Sequence, residues 1–309
     1  METRLKVSGS PHIKRPITTR KIMLDVIIAL IPTFIAGIVI FGAKAFTVVA
    51  ISISAAVLSE CFFSVITKKE QTIDDLSALL TGFLIGLSSP ATTPLWQVAV
   101  ASVFAIIVVK CFFGGIGKNI VNPAITARVF MLVAFSETAV AAFPKGVDAV
   151  GSATPLADGT TSFSPNILML LTGNIGGAIG ETCKIALIIG GIYLLIKGVI
   201  SWHIPVAYIA GTYIFALIIG GFGTYEALLY ILSGSLLIGA IFMATDYVTS
   251  PVTPLGKCVY GVLLAFLTVV IREFSNYPEG VSFAILFMNI LTPYIDMFTA
   301  RKLFGGKTK

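Results

Sequence analysis

The chain has 309 residues, of which 56% are hydrophobic and 12% charged, with a formal net charge of +6 and a mean hydropathy of +0.97. These proportions exclude an ordinary soluble domain and describe a protein that crosses a membrane many times. The positive charge follows from membrane orientation and calls for no nucleic-acid partner.

Residues 1–21 form a polar, basic tail (Arg4, Lys6, Lys14, Arg15, Arg20, Lys21) without a small-residue cleavage site, so the tail is expected to remain in the cytoplasm. A helix needs about 20 apolar residues to cross roughly 30 Å of hydrocarbon at 1.5 Å per residue. Runs of that kind occupy Ile22–Gly42, Ala45–Ile66, Leu95–Phe113, Thr182–Ile200 and His203–Gly221. Further spans are predicted at Leu76–Ser89, Asn122–Ser136, Glu226–Thr245, Lys257–Ile271 and Gly280–Phe298, which makes about ten helices. With Met1 inside, the inner connections carry Lys68, Lys69, Lys118, Lys257 and the tail residues Arg301, Lys302, Lys307 and Lys309. The outer connections keep mainly Lys44, Lys145, Lys184 and Arg272, an asymmetry that satisfies the positive-inside rule. The expected division is a cytoplasmic tail 1–21, a first membrane repeat 22–136, an extracytoplasmic loop 137–165, a second repeat 166–300 and a cytoplasmic tail 301–309.

Ser77 to Leu95 reads SALLTGFLIGLSSPATTPL, and Ser233 to Leu255 reads SGSLLIGAIFMATDYVTSPVTPL. Both are glycine-interrupted apolar segments that stop at Ser-Pro and pass through Thr-Pro into another span. Asn122-Pro123, which opens the fifth predicted span, is echoed by Asn289-Ile-Leu-Thr-Pro293 within the tenth. Two halves of five helices follow, and an odd number per half reverses the second half in the membrane. The expected fold class is an all-α polytopic membrane protein of about ten transmembrane helices in two inverted five-helix repeats with broken helices. Broken segments leave backbone groups free to hold a ligand or ion, so they mark the expected site.

Ionisable side chains inside spans cost about 2.5–3.5 kcal/mol each on insertion scales, and are therefore paired, exposed to an aqueous cavity or close to an interface. Asp25, Glu60, Arg128, Glu181, Asp246 and Asp296 are of this kind. Glu60, Asp246 and Asp296 are candidates for a cation path; for each, a structural or interfacial role is the alternative. Cys61, Cys111, Cys183 and Cys258 show no Cys-x-x-Cys spacing and read as small buried residues, and His12 and His203 are too far apart to suggest a metal centre. The glycines of Thr172–Gly180 and Gly114–Lys118 lack the strand-to-helix context of a nucleotide-binding loop.

The longest polar interruption, Glu137 to Pro165, contains Gly151-Ser-Ala-Thr-Pro155. Small neighbours leave the backbone around Thr154 open to a bulky group, and Pro155 stiffens the exit of the turn. Thr154 is thus placed where a modifying enzyme can reach it, although on these residues alone an ordinary loop threonine is the simpler reading.

Five motifs in one order carry a resemblance: Lys118-Asn-Ile-Val-Asn-Pro-Ala124; Gly151-Ser-Ala-Thr-Pro-Leu156; Gly173-Asn-Ile-Gly-Gly177; Phe242-Met-Ala-Thr-Asp246 with Thr249-Ser-Pro251; and Pro278-Glu-Gly-Val281 followed by Asn289 and Asp296. Together they closely resemble the RnfD/NqrB family, formed by the D component of Rnf electron-transport complexes and the B component of sodium-translocating NADH:quinone reductases. The likeness covers nearly the whole chain, and the lack of a longer N-terminal extension favours the Rnf D component.

The resemblance implies a membrane flavoprotein subunit of an ion-translocating ferredoxin:NAD oxidoreductase in a prokaryotic cytoplasmic (inner) membrane, coupling electron transfer to Na+ or H+ movement. FMN is then joined through its phosphate to Thr154 as a phosphoester, with Asp148 and Ser152 in the acceptor pattern. The family commonly has Ser or Thr before Gly ahead of the Ala-Thr pair, whereas here Gly151 precedes Ser152. A second flavin, noncovalent riboflavin, is implied inside the bundle, with Asn119 and Asn122 as its expected contacts. The implied partners are the other membrane and peripheral subunits, including a second covalent-FMN subunit and iron–sulfur subunits, together with membrane lipid. No catalytic side chain is expected, because the redox chemistry belongs to the cofactor. A secondary transporter or solute channel built on inverted repeats is the alternative.

Overall fold

The computed structural model describes residues 18–69, 71–135, 167–275 and 280–300, all of it helix and connecting turns with no β-strand among the described residues. In chain order the helices are α1 (Thr19–Phe41), α2 (Ala43–Thr67), α3 (Ser77–Ser88), α4 (Leu95–Phe104), α5 (Pro123–Ala134), α6 (Ile167–Thr172), α7 (Lys184–Ile196), α8 (His203–Ile218), α9 (Thr224–Leu232), α10 (Leu236–Ile238), α11 (Pro254–Phe274) and α12 (Gly280–Thr299). Two of them loosen into π-helix, α4 over Ala105–Cys111 and α10 over Gly239–Met243.

Each of the ten predicted spans contains a helix, but the lengths differ from expectation. Four helices (α1, α2, α11 and α12) are long and apolar enough to cross a membrane alone, and α9 with α10 adds a fifth if the pair, bent by 67°, counts as one. The others are shorter because their ends are built from helix-breaking residues. Ser89-Pro90 stops α3, and Asn122 caps α5, whose first residue is Pro123. The turn Ser233–Ser235, with Gly234 at φ +66°, separates α9 from α10.

Small residues let the helices approach closely, as expected where lipid removes the hydrophobic drive for association. Gly82 and Gly86 of α3 lie against the α2 backbone at Ile53 and Val49, where an added Cβ would come within 2.8 Å. Gly190 of α7 faces the carbonyl of Ala29 in α1, and Tyr193 donates to Asp25 at 2.9 Å, so α1 and α7 run antiparallel. Gly211 and Gly261 join α8 to α11, beside a Tyr208–Thr268 hydroxyl contact of 2.6 Å. Large apolar side chains such as Val39, Ile196 and Phe298 remain exposed on the periphery, where lipid would cover them.

Between α6 and α7 the chain dips into the bundle without forming helix. Ile179 and Gly180 donate their backbone N–H groups to the carbonyls of Ser89 and Leu87 at the end of α3, at 3.1 and 2.7 Å. The buried Lys184 ammonium donates to the carbonyls of Glu181 and, at 2.8 Å, Gly234. One insert thereby satisfies loose backbone groups of both broken helices, the condition on which irregular backbone is tolerated at membrane depth.

Lys110, at the end of α4, touches Ser77, at the start of α3, so α3 leaves one end of the bundle and α4 returns to it. The ring of Trp96, at the start of α4, packs on Phe135, just after α5, at 5.2 Å between centroids. Since the 17 residues from Leu95 to Cys111 span about 25 Å at 1.5 Å each, Phe135 and the end of α5 lie opposite Lys110.

Candidate functional site

At the Lys110 end a cleft lies between the two halves of the chain. Its walls come from the starts of α1 and α3, the π-helical end of α4, the approach to α5, the turn after α7, and α10 with the residues that follow it. The space between its atoms is about 790 Å³, its open mouth included. Met23, Ile116 and Phe242 supply apolar wall, while Ser77, Lys110, Asn119, Asn122, Thr245 and Asp246 supply polar groups. Mostly apolar walls with a few convergent polar groups are the signature of a ligand site. Both π-helical stretches contribute, through Lys110 and through Ile241 and Phe242, and π-bulges are frequent at functional sites.

Asn122 organises this region. Its side-chain oxygen caps α5 by accepting from Ala124 N–H (2.9 Å) and Ile125 N–H (3.4 Å), and its amide donates to the Met243 carbonyl of the other half at 3.2 Å. With the Asn289 carboxamide set so that its nitrogen donates to Tyr260 Oη (2.8 Å) and the Ile285 carbonyl (3.2 Å), its oxygen accepts from the Asn122 backbone N–H at 3.1 Å. That orientation pairs every group and is assigned on the hydrogen-bond network. Asn119 differs: its Oδ1 is shielded from solvent and has no hydrogen-bond partner among the described residues. A buried unpaired acceptor on a cleft wall is a place for a donor from a ligand.

The predicted site residues separate into groups. Asn119, Asn122 and Asp246 line the one cleft, and Asp246 also accepts from Thr249 Oγ1 at 3.1 Å. Glu60 lies behind the cleft wall, buried and bonded to Lys110 at 2.5 Å. Asp296, on α12, accepts from the Val252 N–H at 3.0 Å and so holds the turn after Ser250-Pro251. Asp148, Ser152 and Thr154 lie outside the described residues, as do residues 1–17, 301–309 and Pro278-Glu279, while the last residues of the expected N-terminal tail already belong to α1, which starts at Thr19. Of the remaining ionisable candidates, Arg128 and Glu181 face one another at 3.8 Å, both buried.

Lys110 and Ser77 were missed by sequence reasoning. The signal for Lys110 was present, a lone cation three residues before the end of an apolar run, but at that place it reads as an ordinary flanking charge. Ser77 carried no signal of its own. Among the described residues no three His, Cys, Asp or Glu side chains converge as a metal site would require.

Comparison with known proteins adds to this geometry. A model of the NQR2, RnfD, RnfE family matches residues 6–305. The chain is 43% identical over 311 residues to the D component of the Na(+)-translocating ferredoxin:NAD(+) oxidoreductase complex of Acetobacterium woodii, covering 98% of this chain and 96% of the relative. It is 38% identical to the D component of the proton-translocating ferredoxin:NAD(+) oxidoreductase complex of Clostridium ljungdahlii, covering 97% and 96%. It is 35% identical to the D component of the ion-translocating oxidoreductase complex of Methanosarcina acetivorans, covering 98% of each chain.

Proposed function

The chain belongs to the NQR2, RnfD, RnfE family, and from that premise we propose that it is the flavin-carrying membrane subunit of an ion-translocating ferredoxin:NAD oxidoreductase. The observation that carries this reading is a family match running along nearly the whole chain, the Gly151–Leu156 motif included. In the reading, FMN is esterified through its phosphate to Thr154, with Asp148 and Ser152 in the acceptor sequence. The covalent tether keeps the ring at high local concentration near its redox partners without a dinucleotide-binding fold. The flavin supplies one- and two-electron chemistry when bound, and the protein supplies orientation and electrostatics.

The cleft is proposed to hold the second, noncovalent flavin. The apolar faces of Phe242 and Ile116 and the unpaired Asn119 oxygen suit a flat heterocycle with N–H groups. Asn119 would accept from the ring, and Asn122, already committed to α5 and Met243, would fix the wall behind it. Lys110 and Asp246 place a cationic donor and a carboxyl group beside the ligand.

Two inverted five-helix repeats are part of the proposal. Their support is that α1 packs antiparallel on α7, that α5 meets α12, and that Lys110 reaches Ser77 in one half as Arg272 reaches the Ser233 carbonyl in the other. The termini are proposed to be cytoplasmic and the Thr154 segment extracytoplasmic, in line with α5 ending opposite Lys110. Other components of the complex would deliver and remove electrons, and the coupling ion is Na+ or H+.

The test is denaturing electrophoresis of the chain co-expressed with its flavin transferase. A flavin-fluorescent band is expected, and Thr154→Ala should remove it. A dark wild-type band from flavin-replete cells, with solute uptake by the purified protein in liposomes, would favour the transporter reading instead.

A further inference from the structure

Lys110 serves two acceptors at once. Its ammonium donates to Glu60 Oε1 and to Ser77 Oγ, each at 2.5 Å, and the Ser77 hydroxyl in turn donates to Asp75 Oδ1 at 2.5 Å. Thr72 donates to the same Glu60 oxygen at 2.7 Å. Glu60, Ser77 and Lys110 are buried, whereas Asp75 is half-buried in the short turn Ile73–Asp75 that leads into α3. Ser77 and Lys110 also form part of the cleft wall. Four side chains therefore make one hydrogen-bonded line from the rim of the bundle, past the cleft, to a sealed carboxylate.

A clamp between α2 and α4 needs no such line. Apolar side chains of similar volume often replace a buried ion pair without loss of stability, and ionisable groups inside membrane bundles mark the paths along which charge moves. Two details suit transfer. Ser77 accepts from Lys110 and donates to Asp75, so the chain is polarised in one sense. Glu60 Oε2 is sealed and has no hydrogen-bond partner among the described residues, so one oxygen of the carboxylate at the inner end of the line is uncommitted. The charged groups facing Lys110 are Glu60 from α2, Asp75 beyond Ser77 and Asp246 on the cleft wall, with Lys69 in electrostatic reach of the neighbouring Cys111.

We infer that Asp75, Ser77, Lys110 and Glu60 form a proton conduit between the cleft and the rim of the bundle. The inference rests on reading the cleft as a redox site, where two-electron chemistry takes up or releases protons. In one passage an N–H bond of the Lys110 ammonium breaks as an O–H bond forms at Ser77. The original Ser77 O–H bond breaks as one forms at Asp75 Oδ1. Lys110 is left as a neutral amine and Asp75 as a neutral acid, which discharges its proton to water. The amine regains a proton from protonated Glu60 or from a group oxidised in the cleft, and the reverse order carries a proton inward. No electron moves in these steps, so any redox change stays with the ligand.

The test uses the purified complex, assayed for ferredoxin-dependent NAD reduction and flavin content, with Ser77→Ala and Lys110→Arg. Arginine keeps a positive charge opposite Glu60 but does not release a proton, and Ser77→Ala keeps the ion pair while removing the relay hydroxyl. Both variants are expected to retain the covalent FMN and to lose about 10²-fold in rate, the lower bound of positioned proton transfer. Small proton carriers such as imidazole or formate should restore most of the Ser77→Ala rate, which a purely structural defect would not allow. Should Lys110→Arg not assemble, Ser77→Ala decides alone. Full rate in either assembled variant, or a loss indifferent to the carriers, overturns the conduit. A wild-type complex without flavin and without NAD reduction overturns the redox reading of the cleft instead, so the two failures are told apart by that control.

Discussion

The side-chain amide of Asn122 donates to the backbone carbonyl of Met243 across 121 residues of sequence, at 3.2 Å, while the oxygen of the same side chain caps α5. One residue thus starts a helix in the first half of the chain and ties it to the π-helical stretch of the second. The cleft wall is defined where the two meet.

Substitutions at Asn122 separate those roles. Asn122→Asp keeps the capping oxygen but leaves the buried Met243 carbonyl without its donor and sets a carboxylate oxygen against it, so it should cost about 1–3 kcal/mol. Asn122→Ala loses both, adding roughly 0.5–2 kcal/mol for the cap. Thermal unfolding in detergent, followed by the monodispersity of the purified protein, should rank wild type above Asp and Asp above Ala. Equal midpoints for wild type and Asn122→Asp would mean that the link to Met243 contributes nothing.

Glu60 and Lys110 should behave as a unit. Glu60→Gln leaves a buried ammonium opposite a neutral amide, and losing one partner of a buried pair costs about 3–5 kcal/mol. The double variant Glu60→Gln, Lys110→Met removes both charges and is expected to be more stable than Glu60→Gln alone. If the two single losses simply add in the double variant, the pair is not coupled as its 2.5 Å contact requires.

Helix contact through glycine is tested at Gly82. A Cβ there would lie 2.8 Å from the Ile53 Cα and the Ser52 carbonyl, both backbone atoms that cannot swing aside. Gly82→Val should therefore force α3 from α2, at roughly 1–3 kcal/mol or more, and break the hydrogen bond that Ser52 donates to the Gly82 carbonyl at 2.6 Å. Gly115, with open space around its Cα but φ +93°, is the contrast: Gly115→Ala is strained by its backbone and not by its neighbours. Unfolding midpoints that drop for Gly115→Ala alone would contradict the packing argument.

Lys184 tests the insert between α6 and α7. Lys184→Met keeps the length of the side chain but removes the donor to the buried Gly234 carbonyl. About 1–3 kcal/mol should be lost for the unsatisfied acceptor, with faster hydrogen exchange at the break between α9 and α10. Unchanged exchange there would show that the insert does not secure the break.

Much of this architecture is legible in the order of the residues. Ser89-Pro90 and Asn122-Pro123 predict a helix stop and a helix start from proline geometry and capping alone, and both are found at those residues. The apolar runs predict where helices occur but not how long they are, because hydropathy does not register the Ser-Gly-Ser turn at 233–235 or the loosening to π-helix at Ala105 and Gly239. Asn119, Asn122 and Asp246 belong to separate motifs, and only folding brings them to one cleft. Lys110 escapes notice because its partners, Glu60 and Ser77, stand 50 and 33 residues away and no local pattern links them.

The central claim is a flavin esterified to Thr154, and mass spectrometry of the peptide containing that residue, from complex matured in its own cell, tests it most directly. The account expects the peptide to carry the added mass of FMN less one water, and Thr154→Ala to yield an unmodified peptide with no transfer to Ser152. An unmodified Thr154 in complex that sustains electron transfer would contradict it.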